Sequence, residues 1–187
     1  MNQEKTADLP NRSALPNYPT ALSRPAGRTL EKIMLTRRGD SSLLLQILDQ
    51  GYQCRAWHGP NLRQSLRGVS AQAAAWRPAP ARHNIWEIAL HAAYWKYAVR
   101  RRLRGEKRGS FLLPGSNWFK RPVELSEKAW RADLALLEAE HGKLREALID
   151  YVAGKTRPVP AGHIFGVAFH DIYHAGQIRL LRRLQSR

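Results

Sequence analysis

The sequence is poor in cysteine, in acidic residues and in long apolar runs. It has one cysteine, Cys54, among 187 residues. An intramolecular disulfide and a multi-thiolate zinc site are both excluded, and the expected compartment is a reducing cytoplasm. No run of roughly 18 apolar residues occurs, so no membrane-spanning helix is expected. The N-terminus, Met1-Asn2-Gln3-Glu4-Lys5, carries no apolar signal core. Acidic residues number 15 against 31 lysines and arginines, for a formal charge of +16. Such a charge attracts nucleic acid or anionic surfaces. The basic residues are scattered, however, and no nucleic-acid motif accompanies them. A basic stress-response or nucleic-acid-associated binding protein is therefore the alternative function, not the favoured one.

What is present describes a folded helical domain. Residues 1–38 mix Pro10, Pro16, Pro19 and Pro25 with Asn, Ser and Thr and show no apolar periodicity. They read as a flexible N-terminal tail, leaving residues 39–187 as the domain. Asp40-Ser41-Ser42 signals a helix start, followed by Leu44, Ile47, Leu48 and Tyr52 at helical spacing. Gly59-Pro60 interrupts this helix. Leu62, Leu66 and Val69 extend the stripe, and a short helical turn runs from Ser70 to Trp76. The second long helix has Asn84 as N-cap, with Glu87 placed to complete a capping box. Its buried stripe is Ile85, Ile88, Ala92, Trp95 and Val99, with His91 inside it. Arg100 to Arg102 and Arg104 suit the negative end of its dipole, and Gly105 suits the C-cap. A third helix starts at Ser126 and buries Trp130, Leu134, Leu137, Leu144 and Leu148. A fourth runs from about His163 to Leu184. Four amphipathic helices without strand signals predict an all-α, four-helix bundle.

The connection over residues 105–125 is long for a compact domain and carries Trp118 and Phe119, which suggests a lid. At about 3.3 Å per extended residue it can run the full length of a 20-residue helix, roughly 30 Å. The second and third helices can therefore be parallel.

The chemistry concentrates in His170-Asp171-Ile172-Tyr173-His174-Ala175-Gly176-Gln177. Residues four apart on a helix differ by about 40° around its axis, so His170 and His174 leave one face. An imidazole on an inner face is costly unless its nitrogens are satisfied. Three histidines can satisfy one another through an ion, and His91 is the best third. Neutral imidazole suits Zn²⁺, Ni²⁺ or Fe²⁺, and three histidines with an open position match a catalytic site better than a closed structural one. Asp171 either orients an imidazole or pairs with a surface arginine. Tyr173 and Gln177 bind substrate or pin the helix. His83 is placed to approach one end of the site and His58 to line the pocket mouth, His163 begins the fourth helix, and His141 reads as solvated; each of the four reads as structural more than as a ligand. An H-E-x-x-H protease is disfavoured, because no His, Asp or Glu follows His174 and Asp171 is one methylene too short.

The segments Asn84-Ile85-Trp86-Glu87-Ile88-Ala89-Leu90-His91 and His170-Asp171-x-Tyr173-His174-Ala175-Gly176-Gln177-Ile178 together resemble the DinB/YfiT-like superfamily of metalloenzymes, over about residues 40–187. The resemblance implies an up-down-down-up four-helix bundle and a homodimer. It implies a divalent metal ion held by His91, His170 and His174. It implies a metal-dependent hydrolase, or a transferase or isomerase that uses a low-molecular-weight thiol such as mycothiol or bacillithiol. The expected partner is then a small-molecule substrate, reached by a nucleophile that the metal makes available near neutral pH. Trp95, Trp118 and Tyr173 are expected to shape its pocket.

Overall fold

The computed structural model describes residues 38–186 apart from positions 108, 110, 116 and 158. The expected tail over residues 1–38 lies outside the described residues, save its last position. The described chain is all-helical: α1 (Arg38–Tyr52), α2 (Leu62–Leu66), α3 (Ala71–Ala75), α4 (Ile85–Arg104), α5 (Glu127–Val152) and α6 (Gly162–Gln185). The four long helices are the four read from the sequence. The first opens at Arg38, ahead of the expected start at Asp40-Ser41-Ser42.

Side-chain chemistry explains most of the boundaries. Ser70, Asn84 and Ser126 each accept a backbone N–H of the following turn, from Ala73, Glu87 and Ala129. That satisfies a donor left free at a helix start. Asn61 and Gln64 form a reciprocal capping box that restarts the chain after the Gly59-Pro60 break. At α4 the expected box is absent. Asn84 caps the helix, but the Glu87 carboxylate turns instead to Arg77 and His83. Those two charge-assisted bonds outweigh one to its own N-cap amide. Gly105 closes α4 at φ 65°, a left-handed conformation that an L side chain rarely adopts.

Contacts across the helices set the topology. The Trp86 indole donates to Asp133 at 2.7 Å near the start of α4 and α5, while Arg104 lies 3.9 Å from Asp150 near their ends. The two helices are therefore parallel. Arg102 faces His163 at 3.4 Å and His91 faces His174, so α6 runs antiparallel to α4. Leu44 and Leu48 of α1 pack with Ile164 and Val167 of α6 and with Val99 and Leu103 of α4. Further along α1 the Tyr52 ring sits under the Lys96 ammonium. The order is up-down-down-up.

Two apolar clusters fill the bundle. One holds Trp86, Leu90, Phe119, Trp130, Leu137 and Ile178. The other holds Leu44, Leu48, Val99, Leu103, Leu144, Leu148 and Val167. Each such side chain contributes about 1.5–3 kcal/mol by leaving water. A polar residue separates the clusters on each of three helices: Lys96 on α4, His141 on α5 and Asp171 on α6, all buried. The separation matters for the site, because Asp171 directly follows His170 and Lys96 lies about one turn and a half beyond His91.

Candidate metal centre

Antiparallel packing of α4 and α6 brings His91 against His170 and His174. The Nε2 atoms of His91 and His170 are 3.2 Å apart, and those of His170 and His174 are 3.0 Å apart. The three rings offer nitrogens within 4.8 Å of one another, an arrangement that can hold a metal ion. Ligands about 2.1 Å from a common ion stand about 3.0 Å apart at right angles and about 3.4 Å apart in a tetrahedron. The observed spacings fall in that interval.

The outer nitrogens fix which atoms point inward. His91 Nδ1 donates to the carbonyl oxygen of Asn117 at 2.6 Å, and His174 Nδ1 donates to Gln177 Oε1 at 2.7 Å. A neutral imidazole carries one N–H, so both rings present bare Nε2 lone pairs. His170 can donate its Nε2 proton to only one of them. A cation at the centre relieves the remaining repulsion, so these residues fit a divalent ion. Burial, with the neighbouring imidazoles adding to it, pushes His170 down to about 3. Burial likewise takes His174 to about 4, against the pull of Gln177, and lowers His91 against that of Asn117. All three imidazoles are neutral near pH 7, the form that can coordinate a metal.

The crossover between α4 and α5 forms one wall of the site. Trp118 stacks on His91 and on His83, with centroids 3.8 and 3.7 Å away and planes within 4° in both pairs. Phe119 beside it is buried in the core, and the Arg121 carbonyl accepts from Asn84 at 2.8 Å. The expected lid is thus anchored after Trp118 by Phe119 and Arg121 and before it by the Asn117 carbonyl on His91. Asn117 was not legible as a partner of His91, since its backbone carbonyl leaves no trace in side-chain chemistry.

Glu87 secures the same wall. It accepts from Arg77 at 2.8 Å and from the Arg121 amide at 3.3 Å, and it lies 3.0 Å from His83 Nδ1. Burial raises its carboxyl, but these donors bring it below its ordinary value. His83 is thereby held flat against Trp118.

Asp171 takes neither expected role. It is fully buried and ion-paired to Lys96, also fully buried, instead of reaching an imidazole or a surface arginine. The helical step from His170 aims it at Lys96, off the face that carries His170 and His174. Burial raises the Asp171 carboxyl to about 6, opposed by Lys96, and lowers the Lys96 ammonium, opposed by Asp171. Gln177 holds His174, and its Nε2 donates to the Tyr173 hydroxyl at 3.0 Å. The hydroxyl keeps its own proton for another acceptor.

The histidines open onto a cavity of about 690 Å³. Its lining includes His83, Ile88, His91, Trp118, His170, Tyr173, His174 and Gln177. Trp95 lines a smaller cavity of about 230 Å³ on the other side of His170, with His163 and Arg102.

The model of the DinB superfamily matches residues 56–178. The chain belongs to the DinB superfamily. No curated protein and no solved structure matches it. The DinB match runs from before α2 into α6 and spans all three converging histidines. Two other histidines of this DinB chain depart from expectation. His58 is exposed and lies outside the residues lining the large cavity. His141 is buried, not solvated, and stacks on Tyr52 with centroids 3.9 Å apart. Its position on α5 faces Tyr52 in the interior, and that contact, not the charges around it in sequence, decides its burial. Among the described residues, no helix is long and apolar enough to cross a membrane.

Proposed function

We propose that this chain is a metal-dependent enzyme acting on a small molecule, either a hydrolase or a thiol-dependent transferase. In this reading His91, His170 and His174 hold Zn²⁺, Ni²⁺ or Fe²⁺. The domain is the bundle of residues 39–187, it acts as a homodimer, and it works in the cytoplasm. One observation carries the reading: three Nε2 atoms converge with two of their Nδ1 partners fixed, at the edge of a cavity large enough for a substrate. A divalent ion held there supplies Lewis acidity, which favours a deprotonated water or thiol and polarises a carbonyl.

The protein's own groups do the rest. Asn117 and Gln177 keep two imidazoles in the tautomer that faces inward. Trp118 shields His91 from water, and Tyr173 offers its hydroxyl proton to a substrate oxygen. The basic alternative draws on the +16 charge, but Arg77, Arg121 and Arg145 are occupied by Glu87, Asp133 and Asp49.

The test is metal analysis of untagged protein, with His174→Ala as the control. A stoichiometric ion that disappears in the variant, with helicity retained, supports the reading. No ion under varied metal supply overturns it.

A further inference from the structure

The cavity beside the three histidines is graded in polarity along α6. His170, His174 and Gln177 are followed by Leu181 and Leu184, each about one turn further on. Leu180 lines the same cavity. From His174 to Leu184 the helix rises about 15 Å. Because α4 runs the other way, Ile88 lies beyond His91 toward that same end. Pro78, Ala79, Arg82 and His83, in the segment leading into α4, complete the lining there. Along α6, one end therefore presents imidazoles, an amide and a hydroxyl, and the other presents aliphatic carbon.

Charge along the lining is equally one-sided. Among the described residues, no Asp, Glu or Lys lines the cavity, and Arg82 is its one permanently charged side chain. Leu180 and Leu184, i,i+4 on one helix face, are 59% and 39% exposed. The volume, about 690 Å³, far exceeds the roughly 30 Å³ of a water molecule.

We infer that the substrate is an amphiphile with a metal-binding head, a thiol or an acyl carbonyl, and an extended aliphatic or arylalkyl chain without positive charge. The head sits at His91, His170 and His174. The chain lies along α6 over Leu181 and Leu184, facing Ile88 and Pro78. This rests on the metal-site reading above and adds the substrate class to it.

The experiment separates the two. The zinc-loaded full chain is titrated calorimetrically with acetohydroxamate, butyrohydroxamate and octanohydroxamate, which share one chelating head and differ in chain length. Each added methylene that enters the groove is expected to tighten binding about fourfold, for a hundredfold or more from acetohydroxamate to octanohydroxamate. Leu184→Asp, or Leu180→Asp if the first fails to fold, is expected to remove most of that gain while leaving acetohydroxamate affinity unchanged. Equal affinities across the series overturn the inference and leave the metal site standing. If zinc binds but no hydroxamate does, this inference fails and the metal site stands; if zinc does not bind, the metal-site reading fails and this inference with it.

Discussion

The indole of Trp118 lies flat on the imidazole of His91, with centroids 3.8 Å apart and planes 4° apart. The stack joins the long crossover to a side chain of the three-histidine cluster. It covers one face of His91, and burial is the main cause of that histidine's lowered pKa.

Trp118→Ala should therefore raise the pKa of His91 toward the ordinary histidine value near 6.5. Proton NMR titration of the metal-free protein reads this directly. An unchanged His91 would mean that the helices alone desolvate the ring.

Gln177→Leu should lower zinc affinity by about 10- to 100-fold, because His174 loses the acceptor that fixes its tautomer. Gln177→Glu keeps an acceptor oxygen at the same reach and should retain most of the affinity. Competition against a chromogenic chelator measures both variants.

Lys96→Met should destabilise the fold by about 3–5 kcal/mol, since it leaves Asp171 buried without its partner. Adding Asp171→Leu removes the stranded carboxylate and should recover most of the loss. Urea unfolding followed by circular dichroism tests both. A double variant no better than the single would mean that the pair itself stabilises the bundle.

His141 predicts an acid limb. Burial holds it neutral down to about pH 2 in the folded chain, whereas unfolded it takes a proton near pH 6.5. Above pH 6.5 neither state is charged and its contribution to stability is whole. As pH falls below 6.5 the unfolded state binds the extra proton, and stability declines by about 1.4 kcal/mol per pH unit from this residue. His141→Phe should make the decline between pH 6.5 and 4 shallower by that slope, seen in urea midpoints at several pH values.

Periodicity and cap chemistry made the helices legible before any coordinates. Asn84, Ser126 and Gly105 announce boundaries through local hydrogen bonds and backbone conformation, and these survive into the fold. The convergence of His91 with His170 and His174 was legible for a similar reason: each occupies an inward position in a clear apolar stripe. What escaped the sequence depends on relations between segments. Asp171 looks like any polar neighbour of a ligand until α4 places Lys96 against it. His141 sits among charged residues in the chain, yet it faces Tyr52 in space. The role of Asn117 belongs to a main-chain oxygen, for which residue identity carries no signal.

The parallel arrangement of α4 and α5 divides the crossover into parts of unequal tolerance. The 20-residue α4 is about 30 Å long, and the chain from Gly105 to Ser126 can reach about 70 Å when extended. More than half of that reach is slack. Ahead of Asn117 the bundle asks of this segment little more than length, whereas the three-histidine cluster asks for a carbonyl and an indole in adjacent places. Insertions near Leu112, which is largely exposed, should leave both the bundle and the site intact. A single residue inserted between Asn117 and Trp118 should spare the bundle and disable the site.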